Sequence, residues 1–290
     1  MPSPRPSGGS SAHALIVDAN VSGSLSVNGS ILVSQATPGD TSPISGSNNL
    51  SGISGLNSFF YGNLATGSTN MRAIAGLENQ VDSLIVYKAL ITNDAGVAQD
   101  VAFNFFLGRG RVGVDSNFAS ATQNGFGNAS LASSIKWGGS TVWNVGLAVD
   151  KATGAAATHT LTTTPSAAGF TTSASGDSVY YDAYTGNLGL GILAAGESKT
   201  LTYSILGSAY YDNNGDDVSF YGYGGRAVVG NSDPFDFVGS SPDEPSGFSV
   251  KIVSMPAQAV PEPGTWALMG AGLAGVWGAS RMRRRRAGSA

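Results

Sequence analysis

Between residues 97 and 107 apolar side chains recur with a period of two. In VAQDVAFNFFLG, Val97, Val101, Phe103, Phe105 and Leu107 occupy odd positions, and Asp100 and Asn104 fall on the other face. Successive side chains of a strand point to opposite faces, whereas a helix repeats every 3.6 residues, so this pattern demands a strand with one buried face. The preceding VDSLIVYKALITN also reads as a strand. Asn93-Asp94-Ala95-Gly96 between them is a turn sequence, and the pair is expected to form a long hairpin.

The same reading extends along the chain. LIVDANVSGSLSVNGSILVS, residues 15–34, predicts two or three strands joined by tight turns. Residues 35–80 are rich in Ser, Gly and Asn; they predict long loops with one irregular strand, packed at Phe59, Phe60 and Tyr61. Residues 115–140 are expected to be loop-rich. TVWNVGLAV places Trp143, Val145, Leu147 and Val149 on one face. THTLTTT is polar and β-branched, as suits an edge strand. SVYYDAY and LGLGIL follow, and in GESKTLTYSIL Leu201, Tyr203 and Ile205 alternate with Thr200, Thr202 and Ser204. DVSFYGYGG, RAVV and FSVKIV complete the set. No segment of useful length between 15 and 255 repeats every 3.6 residues. Many short strands punctuated by Gly, Asn and Asp predict an all-β body over residues 15–254, an antiparallel β-sandwich or jelly roll.

Composition removes several functions. The chain has no cysteine, which excludes disulfides, a thiol nucleophile and Cys-ligated metals. Residues 15–260 hold 18 acidic against nine basic side chains, a net charge of −9. Phosphate backbones demand basic surfaces, so this part does not bind nucleic acid. Only two histidines occur, His13 and His159, and neither a G-x-S-x-G elbow nor H-E-x-x-H is present; a His-dependent hydrolase is therefore not expected.

Three stretches resemble sites. Gly108-Arg109-Gly110-Arg111-Val112-Gly113 matches G-x-G-x-x-G, but no convincing helix follows and residues 128–136 hold no acid, so a Gly-rich strand end accounts for it. Asp212, Asn214 and Asp216 have the 1-3-5 spacing of a calcium loop. Asp217 replaces its Gly and Tyr223 its Glu, so an EF-hand is excluded. A looser surface calcium site and a polar hairpin loop both fit these residues. Tyr180, Tyr181, Tyr184, Tyr210, Tyr211, Tyr221 and Tyr223 are concentrated in one part of the chain; strand alternation would expose about half. They suit sugar stacking or a sandwich core equally.

The end of the chain has another character. Trp266 to Ala279 carries no charge, and a helix over residues 265–280 would rise roughly 24 Å, short of the about 30 Å of a bilayer core. Trp266 and Trp277 flank it, and Arg281, Arg283, Arg284, Arg285 and Arg286 follow. Aromatic rings prefer the interface and positive residues stay cytoplasmic; arginine stems can also snorkel and lengthen a short span. These features predict a single short transmembrane helix, with an Arg-rich cytoplasmic tail over 281–290 and the body outside. Pro261 and Pro263 make Val260-Pro261-Glu262-Pro263-Gly264 stiff and extended, within a linker spanning 255–264. Pro-Glu-Pro, a short apolar segment and an arginine run, in that order, resemble the PEP-CTERM sorting signal. That resemblance implies recognition by an exosortase in the inner membrane, cleavage near Pro-Glu-Pro, and release or re-attachment at the cell surface. It also implies association with extracellular polysaccharide or biofilm.

Residues 1–14 contain no apolar export segment, yet Ala12-His13-Ala14 has the A-x-A pattern of a signal-peptidase site. The expectation is that an apolar segment is encoded upstream and that the mature protein begins near Leu15. Together these readings predict an exported, non-enzymatic surface or matrix protein. A carbohydrate-binding module with the same anchor is the alternative, and a secreted glycoside hydrolase a third reading.

Overall fold

The structure, a computed structural model, describes residues 14–38, 44–49, 57–62, 69–75, 79–114, 126–212, 225–229 and 251–256. These form seventeen strands: Ala14–Val27 (β1), Ser30–Pro38 (β2), Ile44–Asn49 (β3), Asn57–Gly62 (β4), Thr69–Ile74 (β5), Asn79–Asn93 (β6), Gln99–Leu107 (β7), Gly110–Val114 (β8), Phe126–Trp137 (β9), Ser140–Lys151 (β10), Thr158–Thr163 (β11), Thr172–Ser175 (β12), Ser178–Tyr181 (β13), Tyr184–Leu193 (β14), Ser198–Asp212 (β15), Gly225–Val229 (β16) and Lys251–Pro256 (β17). One 3-10 turn, Pro165–Ala167, is the only helical element among the described residues.

All the strand pairings are antiparallel. One seven-stranded sheet has the order β11-β10-β9-β15-β6-β1-β2 and another the order β12-β13-β8-β16-β5-β4-β3; a three-stranded sheet has the order β14-β7-β17. The two large sheets face each other in matching order. β8 and β16 lie under β9, β5 under β6, and β4 under β1. The small sheet prolongs the second large one. Tyr181 pairs with Gly110 and Tyr184 with Leu107, so three residues forward on one chain match three back on the other across the break. β7 and β8 thus behave as one long strand interrupted at Gly108-Arg109.

The period-two faces fill the interior. Val101, Phe103, Phe105 and Leu107 are buried, as are Trp143, Val145, Leu147 and Val149 on β10 and Leu201, Tyr203 and Ile205 on β15. Phe105 anchors the aromatic part of this core. Its ring lies 4.7 Å from that of Trp143, edge to face, and farther from those of Tyr184, at 5.9 Å, and Tyr203, at 6.1 Å. THTLTT is the edge strand expected, paired only with β10 and exposed along its whole length. Residues 15–34 form two strands turning at Asn28-Gly29, both with positive φ, as a tight hairpin requires.

Three expectations need correction. β6 and β7 do not form a hairpin. Both sides of β6 are taken, by β1 and by β15, so no free edge remains for β7. The chain instead turns a corner into the other layer. Val97 belongs to that corner rather than to the buried face, and is 60% exposed. Second, residues 35–80 are not mainly loop: β3, β4 and β5 form a meander with Phe60 and Met71 fully buried. Third, residues 126–137 form the long strand β9, whose Ala, Ser and Gly residues permit close strand packing but show little hydrophobic contrast.

The β6–β7 corner is organised by Asn93, which is completely buried. Its Nδ2 donates to the carbonyls of Val97 (2.9 Å), Leu193 (2.8 Å) and Ala194 (3.1 Å), and its Oδ1 accepts from the Ala95 N–H at 3.0 Å. Its backbone N–H donates to Glu197 O and its carbonyl accepts from Gly196 N–H. One amide therefore joins this corner to the β14–β15 corner, residues 194–197.

Candidate functional site

β17 is the last described strand and joins the body at an edge of the small sheet. It pairs with β7 from Lys251 opposite Asn104 to Pro256 opposite Gln99. Pro256 lacks an N–H and stands at the strand's end, a position where proline leaves no ladder bond unmade. Three residues, 257–259, separate it from Val260. The sorting residues Val260, Pro261, Glu262, Pro263 and Gly264, together with Trp266, Trp277 and Arg281 to Arg286, lie outside the described residues, as does the expected helix over 265–280. Among the described residues no helix is long and apolar enough to cross a membrane.

Beyond β17 the sequence runs through Pro-Glu-Pro, an uncharged apolar run and a cluster of arginines. The family model of the PEP-CTERM protein-sorting motif matches residues 259–285. The chain carries a PEP-CTERM sorting signal. The PEP-CTERM motif marks an exported protein processed by exosortase, a membrane enzyme. It is confined to the C-terminal segment and follows β17 almost at once. No curated protein and no solved structure matches the chain significantly.

Upstream of the PEP-CTERM motif, the sequence candidates separate in space. Most of the G-x-G-x-x-G stretch is strand: Gly110–Val114 is β8, set between β13 and β16, and the residues that follow it, 115–125, lie outside the described ones. A side chain at Gly113 would collide with Ser178, so the glycine serves strand approach. Arg111 donates to Ser178 Oγ (2.6 Å from Nη2) and stacks on Tyr180, 5.2 Å from its ring centre. His159 lies exposed on the edge strand β11.

The described tyrosines differ in burial. Tyr181 and Tyr211 are buried, Tyr184 packs against Trp143 and Phe170, and Tyr180 is partly exposed. Tyr221 and Tyr223 lie outside the described residues. Burial pushes the Tyr181 and Tyr203 hydroxyls well above the usual phenol range, so both stay neutral as core groups. Asp212 ends β15, where it accepts from Tyr210 Oη at 3.3 Å. Asn214 and Asp216 lie outside the described residues, and among the described residues no three acidic or histidine side chains converge as metal ligands.

Sequence reasoning missed the polar groups that hold strands together. Asp82 accepts from Ser208 Oγ (2.6 Å), Gln80 Nε2 (3.0 Å) and Ser26 Oγ (3.4 Å), linking β15, β6 and β1. Lys151 pairs with Asp177, tying β10 to the β12–β13 turn, and Asp177 Oδ1 also accepts from Ala157 N–H. Glu197 accepts from Ala194 N–H (2.8 Å) and pairs with Lys199 (3.1 Å). Those two contacts, the backbone bond foremost, hold its carboxyl below the usual range. These partners are distant in sequence or look like ordinary loop residues, so no linear motif announces them.

Proposed function

We propose that this chain is a non-enzymatic structural protein of the cell surface or extracellular matrix, associated with exopolysaccharide or biofilm. Its β-sandwich body is the cargo and its C-terminal segment the address. In the membrane-bound intermediate, residues 265–280 cross the inner membrane and the arginine run remains cytoplasmic. Exosortase then cuts near Pro261-Glu262-Pro263 and sends the body outward. The observation that carries this reading is the PEP-CTERM motif at 259–285, which follows the last described strand in sequence.

The body supports a structural role in a second way. The charged side chains described above are engaged in joining strands: Asp82 to three donors, Lys151 to Asp177, Arg111 to Ser178 and Tyr180. The test is a chain with Pro261→Ala, Glu262→Ala and Pro263→Ala, produced in a host with an active exosortase. The expected outcome is retention in the inner-membrane fraction, while the unaltered chain reaches the surface. An unchanged distribution would overturn the sorting role of this element.

A further inference from the structure

The length of chain beyond β17 fixes which end of the body is nearest the membrane. Eight residues, 257–264, separate Pro256 from the apolar segment. Fully extended they span at most about 29 Å. Pro256 pairs with Gln99, which also pairs with Leu193. The exit point therefore belongs to the end of the body made by the two corners at 94–98 and 194–197. Asn93 holds those corners together, since its Nδ2 reaches both Val97 O and Leu193 O.

That end presents apolar side chains to the outside. Val97 is 60% exposed and Ile192, next to Leu193, 58%. Several polar groups around them are turned inward or paired: Asn93 to four backbone groups, Thr92 to Ser198 at 2.7 Å, and Glu197 to Ala194 and Lys199. Asp94 and Asp100 remain exposed, so the surface is acidic and apolar. Such a surface suits zwitterionic headgroups and not an anionic layer. Two aliphatic side chains would bind a free bilayer weakly. A short tether raises the effective concentration to the millimolar range, where weak contacts are populated.

The geometry points to the Asn93 corner, through Val97 and Ile192, as the surface that the body rests on the outer face of a zwitterionic lipid bilayer before processing. This rests on residues 265–280 being inserted in the membrane. Resting there brings Pro-Glu-Pro to the interface in a fixed relation to the body, rather than on a freely swinging domain. The opposite end offers an internal control. Ile31, 68% exposed, lies beyond the β1–β2 turn, beside the start of β6 at Val81. Twelve strand residues, about 40 Å, separate Val81 from Asn93.

The chain has no cysteine, so single labels are clean. The full chain is made as Val97→Cys, Ile192→Cys or Ile31→Cys, each labelled with an environment-sensitive dye. It is reconstituted in phosphatidylcholine–phosphatidylethanolamine vesicles carrying a lipid-bound quencher. Dyes at 97 and 192 are expected to shift to the blue and lose most of their emission, while the dye at 31 does neither. Chains that float with the vesicles but show no quenching at 97 and 192, or equal quenching at 31, overturn the inference alone. Protection of 97 and 192 only when exosortase is added also overturns it, in favour of an enzyme contact. Failure of the chain to float overturns membrane insertion and this inference together. Loss of quenching in Val97→Ser/Ile192→Cys, with flotation unchanged, is the further result expected.

Discussion

Replacing Asn93 by alanine removes the amide that joins two corners of the body. The Asn93 Nδ2 serves three carbonyls, at 2.8, 2.9 and 3.1 Å, and its Oδ1 serves the Ala95 N–H at 3.0 Å. The bond to the Leu193 carbonyl is buried, so that oxygen cannot recruit water; leaving it unmet costs about 1–3 kcal/mol. The other three groups are only part-buried and can be rehydrated, so each loses nearer the net value of about 0.5–1 kcal/mol. The expected destabilisation is about 2.5–6 kcal/mol. With a urea slope of about 3 kcal/mol/M, the midpoint falls by about 1–2 M. Asn93→Asp keeps the shape but points a carboxylate at three carbonyl oxygens. It should be worse than alanine at pH 7 and should recover partly as the pH falls and the new carboxyl regains a proton. Asn144→Ala, on a half-exposed position, should stay within about 0.5 kcal/mol. Urea unfolding followed by tryptophan fluorescence reads all three. An Asn93→Ala midpoint no lower than that of Asn144→Ala would refute the claim that this amide holds the corners.

Further expectations follow from the core and from its titrating groups. A Cβ at Gly186 would fall on the edge of the Phe105 ring, which is confined by Trp143, Tyr184 and Tyr203. Gly186→Ala should therefore destabilise by about 1–3 kcal/mol, and the less crowded pair Gly186→Ala with Phe105→Leu should lose less than the sum of the two single changes. The Glu197 carboxyl is held low, so the unfolded state binds its proton first as acid is added. Its contribution is present above the ordinary glutamate range and lost as pH falls through its folded value; Glu197→Gln should flatten that part of the pH–stability profile. The Tyr181 and Tyr203 hydroxyls are raised, so unfolded tyrosines ionise first as base is added. Stability should be level below about pH 10 and fall above it. Phenolate absorbance of Tyr203→Phe and wild type, followed through alkaline unfolding, checks this.

Where burial writes itself into alternation, the fold was legible in the sequence. Trp143 to Val149 and Leu201 to Ile205 are buried in the predicted phase, and the Thr-rich stretch around His159 is the exposed edge strand. The strands at 44–74 and 126–137 were not legible, because Ser, Gly and Ala contribute little hydrophobic contrast whichever way they face. Pairing was harder still. The alternation in β6 and β7 is the same whether they pair with each other or with distant strands, and the corner between them has the composition of a hairpin turn. What decides the matter is Asn93, a polar residue in a turn-like context that proves wholly buried. Its partners Leu193 and Ala194 lie about 100 positions away, beyond any local pattern. The sorting element was legible because its parts act in linear order: proline stiffness, apolar length and positive charge need no tertiary contact to be recognised. The body's candidate sites had no such linear signal; the described part of the glycine-rich stretch serves strand packing, and Tyr181 and Tyr211 belong to the core.

We propose that the residues beyond β17 are an address that is read and cut. The most direct test is the intact mass of the protein recovered from the surface of cells with an active exosortase. The expected species is a chain ending near Pro261 to Gly264, or the same chain carrying an added anchor, without residues 265–290. A surface protein whose mass still includes the arginine run 281–286 would contradict it.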